Sequence, residues 1–325
     1  MFRLAFVFLM VCHLTSSYAQ KNSSATVTRI NLLPDDTVRL LAPGVISTPL
    51  NERDLAIRPD GREIMYTLNT MDNSRRAIVM VGLDKDKIVS RSIAPFSGIY
   101  ADIEPFYAPD GQRLYFSSSR PVSEKDSTED YNIWYVDRIK DAWSSVAHPL
   151  SDKINTEADE YYPSVASNGN LYFTAAYKGG IGREDIYVSI LTNGQYTEPT
   201  VLNTNVNTAN YEFNAFVSPS EDVLVFTSYG RQDDMGGGDL YICTKDPSGH
   251  WKKAHHLEGG INSSKIDYCP FIDFPKSAFY FTSNRTEVPA GALDLQAMET
   301  LAGSTLNGMG NIYVVHLKAL GLTGK

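Results

Sequence analysis

The chain has 325 residues, of which 42% are hydrophobic and 21% are charged, and its net charge at pH 7 is −9. This composition is that of a folded protein with one large domain or two smaller ones, and it excludes a disordered chain. No basic run is present that could follow a phosphate backbone, so nucleic acid is not expected as a partner.

The N-terminus has the pattern of a secretory signal peptide. Arg3 precedes an apolar run from Leu4 to Cys12, and the small-residue stretch "SYA" ends just before Gln20. This pattern predicts a signal peptide over residues 1–19, cleavage near Ala19, and an exported protein that is periplasmic or extracellular. No later segment approaches the ~18 consecutive apolar residues of a membrane span, so no transmembrane segment is expected.

A repeated unit follows the leader. Five similar stretches begin at Leu55, Pro105, Pro163, Ala215 and Pro270. Each reads as strand, tight turn and strand, and each is followed after a polar loop by a further apolar run such as "NIWYV" or "DLYIC". Repeats of this length indicate a propeller or a solenoid. The runs lack strict polar alternation, which predicts strands that are covered on both faces.

The ends of the repeat array predict how a ring would close. The last repeat lacks a fourth strand, whereas "DTVRLLAP", beginning at Asp36, is a strand that precedes the first repeat. We therefore predict an all-β fold: a single five-bladed β-propeller of four-stranded antiparallel blades over residues 36–318, with the ring closed by the N-terminal strand. Residues 20–35 are interpreted as a short polar lead and residues 319–325 as a C-terminal tail.

The repeats resemble the WD40-like propeller repeat family of the TolB type. The residues that carry the resemblance are "APDGQRLYFSSSR", "SNGNLYFTAA" and "FYFTSNR". The family occurs in envelope proteins of Bacteroidetes-like bacteria, often beside a peptidoglycan-binding domain, and there the repeats look like non-catalytic assembly modules. The resemblance thus implies a propeller module in the cell envelope, and we expect this propeller to be monomeric.

An acid occurs three residues before each aligned strand, at the end of the propeller that also carries the long loops. The five acids are Glu52, Asp102, Glu160, Glu212 and Asp267. Three repeats add an asparagine five residues earlier, namely Asn155, Asn207 and Asn262. Two interpretations stay open: the side chains hold the turns, or they form an anionic ligand-binding rim on this top face that holds a cation such as calcium, an amine or a basic peptide.

Cations and aromatic residues accompany the acids. The loops of the top face carry Arg120, Arg183, Arg231 and Arg285. We expect these guanidinium groups to pair with the aspartate before the third strand, for example Asp185 or Asp239, with an anionic ligand as the alternative. Aromatic residues next to the acids provide either stacking surface or packing between blades; they are Tyr161, Tyr162, Phe213 and Tyr268.

The sequence favours a binding or assembly module over an enzyme. It contains no G-x-S-x-G motif, and the histidines are placed on outer strands and turns away from the acids, so neither a catalytic residue nor a metal site nor a cofactor is predicted. The alternative is a glycosidase or polysaccharide lyase that uses two rim carboxylates. The expected partner is an envelope protein or a glycan. The two cysteines beyond the leader, Cys243 and Cys269, are expected to be isolated packed thiols.

Overall fold

The computed structural model describes residues 28–123, 125–287 and 291–322. The predicted signal peptide and its cleavage point near Ala19 lie outside these residues. Within them almost all regular structure is β-strand, and no helix there is long and apolar enough to cross a membrane.

Five antiparallel sheets follow one another along the chain, and each is one blade of a propeller. A first short strand, β1, spans Arg39–Leu40. Blade 1 contains β2 (Asn51–Ile57), β3 (Glu63–Asn69), β4 (Arg76–Asp84) and β5 (Lys87–Ile93). Blade 2 contains β6 (Asp102–Tyr107), β7 (Arg113–Ser118), β8 (Asn132–Ile139), β9 (Ala142–Trp143) and β10 (His148–Pro149).

The later blades repeat this order. Blade 3 contains β11 (Glu160–Val165), β12 (Leu171–Ala175), β13 (Asp185–Ser189), a small hairpin of β14 (Leu191–Thr192) and β15 (Gln195–Tyr196), and β16 (Thr200–Val201). Blade 4 contains β17 (Tyr211–Val217), β18 (Val223–Tyr229), β19 (Asp239–Thr244) and β20 (His255–His256). Blade 5 contains β21 (Asp267–Asp273), β22 (Ala278–Ser283) and β23 (Asn311–His316).

The first strand of each blade contacts the first strands of both neighbouring blades, so five inner strands surround a central channel. The ring is closed as predicted: β1 pairs antiparallel with β23, with Arg39 opposite Val314 and Leu40 opposite Tyr313. The fourth strand of blade 5 therefore comes from the N-terminal end of the propeller. This pairing covers the hydrogen-bonding edge that β23 would otherwise expose.

Both faces of the inner strands are covered, as the absence of alternation predicted. Every residue of β6 is buried, and apolar side chains from adjacent blades pack together, for example Met65 and Ile78 of blade 1 with Phe116 and Trp134 of blade 2. A blade in a ring is sandwiched between two others, so its sheet has no solvent-facing side near the channel. Cys243 and Cys269 are free and buried, as expected.

The segments at the two ends, a polar lead and a C-terminal tail in the prediction, contribute buried side chains to the core. Ile30 and Leu32, in the predicted polar lead, are buried in the apolar cluster that joins blades 5 and 1, and the Tyr280 hydroxyl donates to the Leu32 carbonyl at 2.6 Å. At the other end a 3₁₀ helix, Leu317–Leu320, buries Leu320 in the core. The long blade 5 loop contains one helix, α1 (Leu295–Ala302), which has no buried residue.

Each inner strand carries a bulge that brings side chains into the channel. The bulge leaves one residue per blade with a left-handed backbone, namely Asp54, Glu104, Tyr162, Asn214 and Cys269. In three blades the N–H of this residue donates to a threonine hydroxyl on the second strand of the preceding blade; these hydroxyls belong to Thr282, Thr67 and Thr174. The bulges thus connect neighbouring blades as well as shaping the channel.

Candidate binding site at the channel mouth

The five predicted rim acids are all completely buried; they are Glu52, Asp102, Glu160, Glu212 and Asp267. In four blades the carboxylate accepts hydrogen bonds from the backbone N–H and the hydroxyl of the residue four positions earlier, namely Thr48, Thr156, Thr208 and Ser263. These carboxylates therefore close turns, and they do not form an open anionic rim, because each is enclosed by the loop that precedes its strand.

The loop arginines pair with these acids. Arg120 contacts Asp102 at 2.5 Å, and equivalent ion pairs join Arg231 to Glu212 at 3.0 Å and Arg285 to Asp267 at 2.7 Å. Pairing with the aspartate before the third strand was expected instead, and this expectation is wrong. Each arginine folds back over the aromatic ring at the end of its own second strand, for example Arg120 over Phe116, and so reaches the inner acid.

The aspartates that were expected as partners have other donors. Asp185 accepts the N–H groups of Ile181 and Gly182, and Asp239 accepts that of Met235. Arg183 makes no ion pair among the residues described; it is exposed and stacks on Tyr211, to whose hydroxyl it donates.

Two blades lack the arginine, which breaks the apparent symmetry of the acids. In blade 3, burial raises the pKa of Glu160 to about 8, and hydrogen bonds from Thr156 only partly oppose this shift. In blade 1, burial likewise raises the pKa of Glu52. Equivalent positions in the sequence therefore differ in charge environment.

The three asparagines connect the third and fourth strands. The Asn155 amide accepts from the N–H of Ile133 and donates to the carbonyl of the same residue, and Asn207 and Asn262 do the same with Ile186 and Leu240. All three side chains are buried. They serve as structural clamps and do not line the channel mouth.

One histidine lies at the acid-bearing end of blade 4, although none was expected there. Because His256 ends the outer strand at the top of the blade, its Nε2 lies 2.8 Å from Asp239 and 3.0 Å from the Asn262 amide. Its Nδ1 lies 3.3 Å from Glu258. Hydrogen bonds to these two carboxylates raise the pKa of His256 against the opposing effect of burial.

The bulged residues and Arg53 form a polar network inside the channel. The Arg53 guanidinium contacts both Asp54 and Glu104 at 2.8 Å. Glu104 also accepts the N–H of Tyr162 at 2.7 Å and the Asn214 amide at 3.3 Å.

Contacts to blade 5 complete this network. The Tyr162 hydroxyl donates to the Pro270 carbonyl at 3.0 Å, and the Cys269 thiol lies 3.7 Å from Asn214. Side chains of all five blades thus meet across the channel. Burial raises the pKa of Glu104 to about 7, although Arg53 opposes the shift.

A cavity of about 300 Å³ lies on the top side of this network. We call it the mouth cavity. Arg53, Glu104 and Asn214 form its floor, and the aromatic side chains predicted as stacking surface, Tyr161, Phe213 and Tyr268, belong to its walls. The fourth predicted aromatic residue, Tyr162, does not line it. The cavity thus combines aromatic walls with a charged floor.

Two charged side chains on the walls of the mouth cavity lack an opposite charge. Glu184 makes no side-chain hydrogen bond or ion pair within the described part of the chain, and burial together with the nearby Asp159 raises its pKa. Arg76 donates to the Tyr131 hydroxyl at 3.0 Å and has no carboxylate partner among the described residues. Both groups are available to a ligand.

Sequence reasoning missed Arg53, Arg76, Glu104 and Glu184. Asp54, Glu104, Tyr162, Asn214 and Cys269 share one place in the repeat, two residues after each acid, but no single side-chain chemistry is common to all five. The only available signal was this shared position. In a site to which all five blades contribute, the same position of the repeat is expected to carry a different residue type in each blade.

Comparisons with known proteins assign no particular role to this chain. No family model matches the chain, and no curated protein matches it, so membership of the WD40-like repeat family stays a prediction. Among solved structures, TolB from Acinetobacter baumannii is 13% identical with a TM-score of 0.41; the match covers 80% of this chain but only 53% of that chain. An α-L-arabinofuranosidase from Podospora anserina is 10% identical with a TM-score of 0.49, over 87% and 96% of the two chains. A gluconolactonase from Xanthomonas campestris is 9% identical with a TM-score of 0.46, over 89% and 93%.

Proposed function

We propose that this protein is an exported, non-catalytic binding module of the cell envelope that captures a partner at the mouth cavity. The observation that carries the proposal is the pair of uncompensated charges, Glu184 and Arg76, on the walls of an aromatic-lined cavity of about 300 Å³. Concave sites with aromatic walls and a few polar groups are the usual binding sites of proteins. Export rests on the signal-peptide pattern.

The carboxylates in the channel are arranged for structure. A glycosidase needs one carboxylic acid that can donate a proton to the substrate and a second carboxylate that is free to act as base or nucleophile. Glu104 has a pKa near 7, as a general acid would, but its two oxygens already accept from Arg53, Asn214 and the N–H of Tyr162. Asp54 is paired with Arg53. Glu184 is unpaired, but the lining of the mouth cavity supplies no second free carboxylate beside it. This arrangement favours binding over catalysis.

The proposal is tested by immobilising the mature chain and measuring what it retains from envelope extract and from a glycan array. Glu184→Gln and Phe213→Ala should abolish retention, because both side chains line the mouth cavity and are only half-buried. Glu157→Gln, an exposed acid nearby, is the matched control. Equal retention by all variants, or reproducible turnover of a bound substrate, would overturn the proposal.

A further inference from the structure

A second cavity adjoins the mouth cavity on the top face. It has a volume of about 590 Å³ and lies between the loop that precedes β4 and the segment that connects blades 1 and 2. We call it the blade 1 groove. Arg76 lines both the groove and the mouth cavity, so the two cavities adjoin at this side chain.

The groove exposes large apolar side chains. Ile99 is 81% exposed, and Leu50, Ile93 and Tyr100 are each more than 40% exposed. Exposed apolar side chains that share one concave surface are typical of sites where a partner binds. Because three of the four are aliphatic, this surface fits aliphatic side chains better than the flat faces of sugar rings, which stack on aromatic residues.

The lining of the groove includes two positively charged side chains. Arg75 and Arg76 both line it, and neither forms an ion pair with any residue that the structure describes. In a chain with a net charge of −9 these two adjacent arginines are a local exception. A partner that binds in the groove is therefore expected to place a carboxylate against these arginines.

From these features we infer that the blade 1 groove binds an extended peptide segment of a partner protein, in which aliphatic side chains are followed by an aspartate or glutamate that pairs with Arg76. The inference rests on the proposed binding function and names its partner. Arg76 stands between two cavities, so the peptide continues on both sides of it. The carboxylate is therefore that of an internal acidic side chain and not that of a chain terminus.

The test uses an array of octapeptides with blocked ends. Each carries two adjacent aliphatic residues in a glycine–serine background, followed one to three positions later by aspartate, glutamate, asparagine or glutamine. Peptides with an acid should bind the purified chain, and those with the amide should not. Arg76→Gln and Ile99→Ser should each weaken the best peptide by about tenfold, since each removes one of the two recognition elements.

A matched control is available in blade 3. Arg183 stacks on Tyr211 and donates to its hydroxyl at 3.0 Å, as Arg76 does with Tyr131, but Arg183 lines neither cavity. Arg183→Gln should therefore leave peptide binding unchanged. Melting temperatures of all variants should stay near that of the wild type, because Ile99 is exposed and, among the described residues, the Arg76 side chain hydrogen-bonds only to Tyr131.

The other outcomes are decisive as well. Equal binding of acidic and amide peptides, or binding that survives Arg76→Gln, would overturn the inference. If no peptide binds but a glycan is retained and Glu184→Gln abolishes that retention, the peptide inference fails and the proposed binding function stands. If neither peptide nor glycan nor extract component is retained, both fail.

Discussion

Removing the charge of Glu160 and of Glu212 should have opposite effects on stability, although the two acids occupy equivalent positions. Both are fully buried, and both accept from the threonine four residues earlier. The difference is that Glu212 is paired with Arg231 at 3.0 Å, whereas Glu160 has no arginine. The variants Glu160→Gln and Glu212→Gln keep the shape and most hydrogen bonding while they remove the charge.

The magnitude for Glu160 follows from its pKa. Burial raises the pKa from its ordinary value of 4.5 to about 8 in the folded protein. Between these values the folded state binds more protons than the unfolded state, so stability is greatest below pH 4.5 and falls as the pH rises toward 8. At pH 8 the buried charge has removed about 4 kcal/mol of the stability present at low pH. Glu160→Gln should abolish this loss.

For Glu212 the expected change has the opposite sign. Glu212→Gln leaves the Arg231 guanidinium, which is only 12% exposed, without a carboxylate. Breaking a buried pair by removing one partner costs roughly 3–5 kcal/mol. The assay is urea unfolding of the wild type and both variants at pH 5.5 and pH 8. Glu160→Gln should be more stable than the wild type at pH 8, with a smaller gain at pH 5.5, and Glu212→Gln should be less stable at both.

One result would refute this reasoning. Suppose that Glu160→Gln destabilised the protein at pH 8 as much as Glu212→Gln does. The absence of an arginine in blade 3 would then have no effect on the free energy of unfolding. The five acids would then be equivalent turn-holding residues.

Three further predictions concern the ring, its bulges and its chemistry. Removal of residues 20–45 takes away β1 and should lower the melting temperature and cause aggregation in size-exclusion chromatography, because β23 is left with an open edge; a truncated monomer that melts like the full chain would contradict the closure. Thr174→Val should cost about 1–3 kcal/mol in chemical denaturation, since the buried N–H of Asn214 loses its acceptor, whereas the same change at the exposed Thr192 should be neutral. The purified protein should not turn over chromogenic glycosides, esters or peptides, because Asp54 and Glu104 are engaged in the Arg53 network and leave no pair of free carboxylates at the cavity; activity lost in Glu104→Gln would show the contrary.

Much of the fold could be predicted from the sequence. The five strand–turn–strand units and the unassigned strand near Asp36 were enough to predict a five-bladed ring closed by the N-terminal strand, and the pairing of β1 with β23 confirms it. This was possible because a repeated supersecondary unit leaves the same local pattern in the sequence each time. In addition, a strand at an open edge has unpaired backbone groups, so a pairing strand is expected. The turn-holding geometry of four of the five acids was also among the alternatives that the local pattern left open.

The candidate site, in contrast, was decided by the tertiary structure. Arg53 and Glu104 come from different blades and are 51 positions apart in the chain, yet their side chains lie 2.8 Å apart in the channel. Local patterns carry no information about which side chains meet across a ring axis, since that depends on the closed geometry of all five blades. For the same reason the sequence placed function on the repeated acids, which are buried, whereas the uncompensated Glu184 and Arg76 became apparent only where separate blades converge on one cavity.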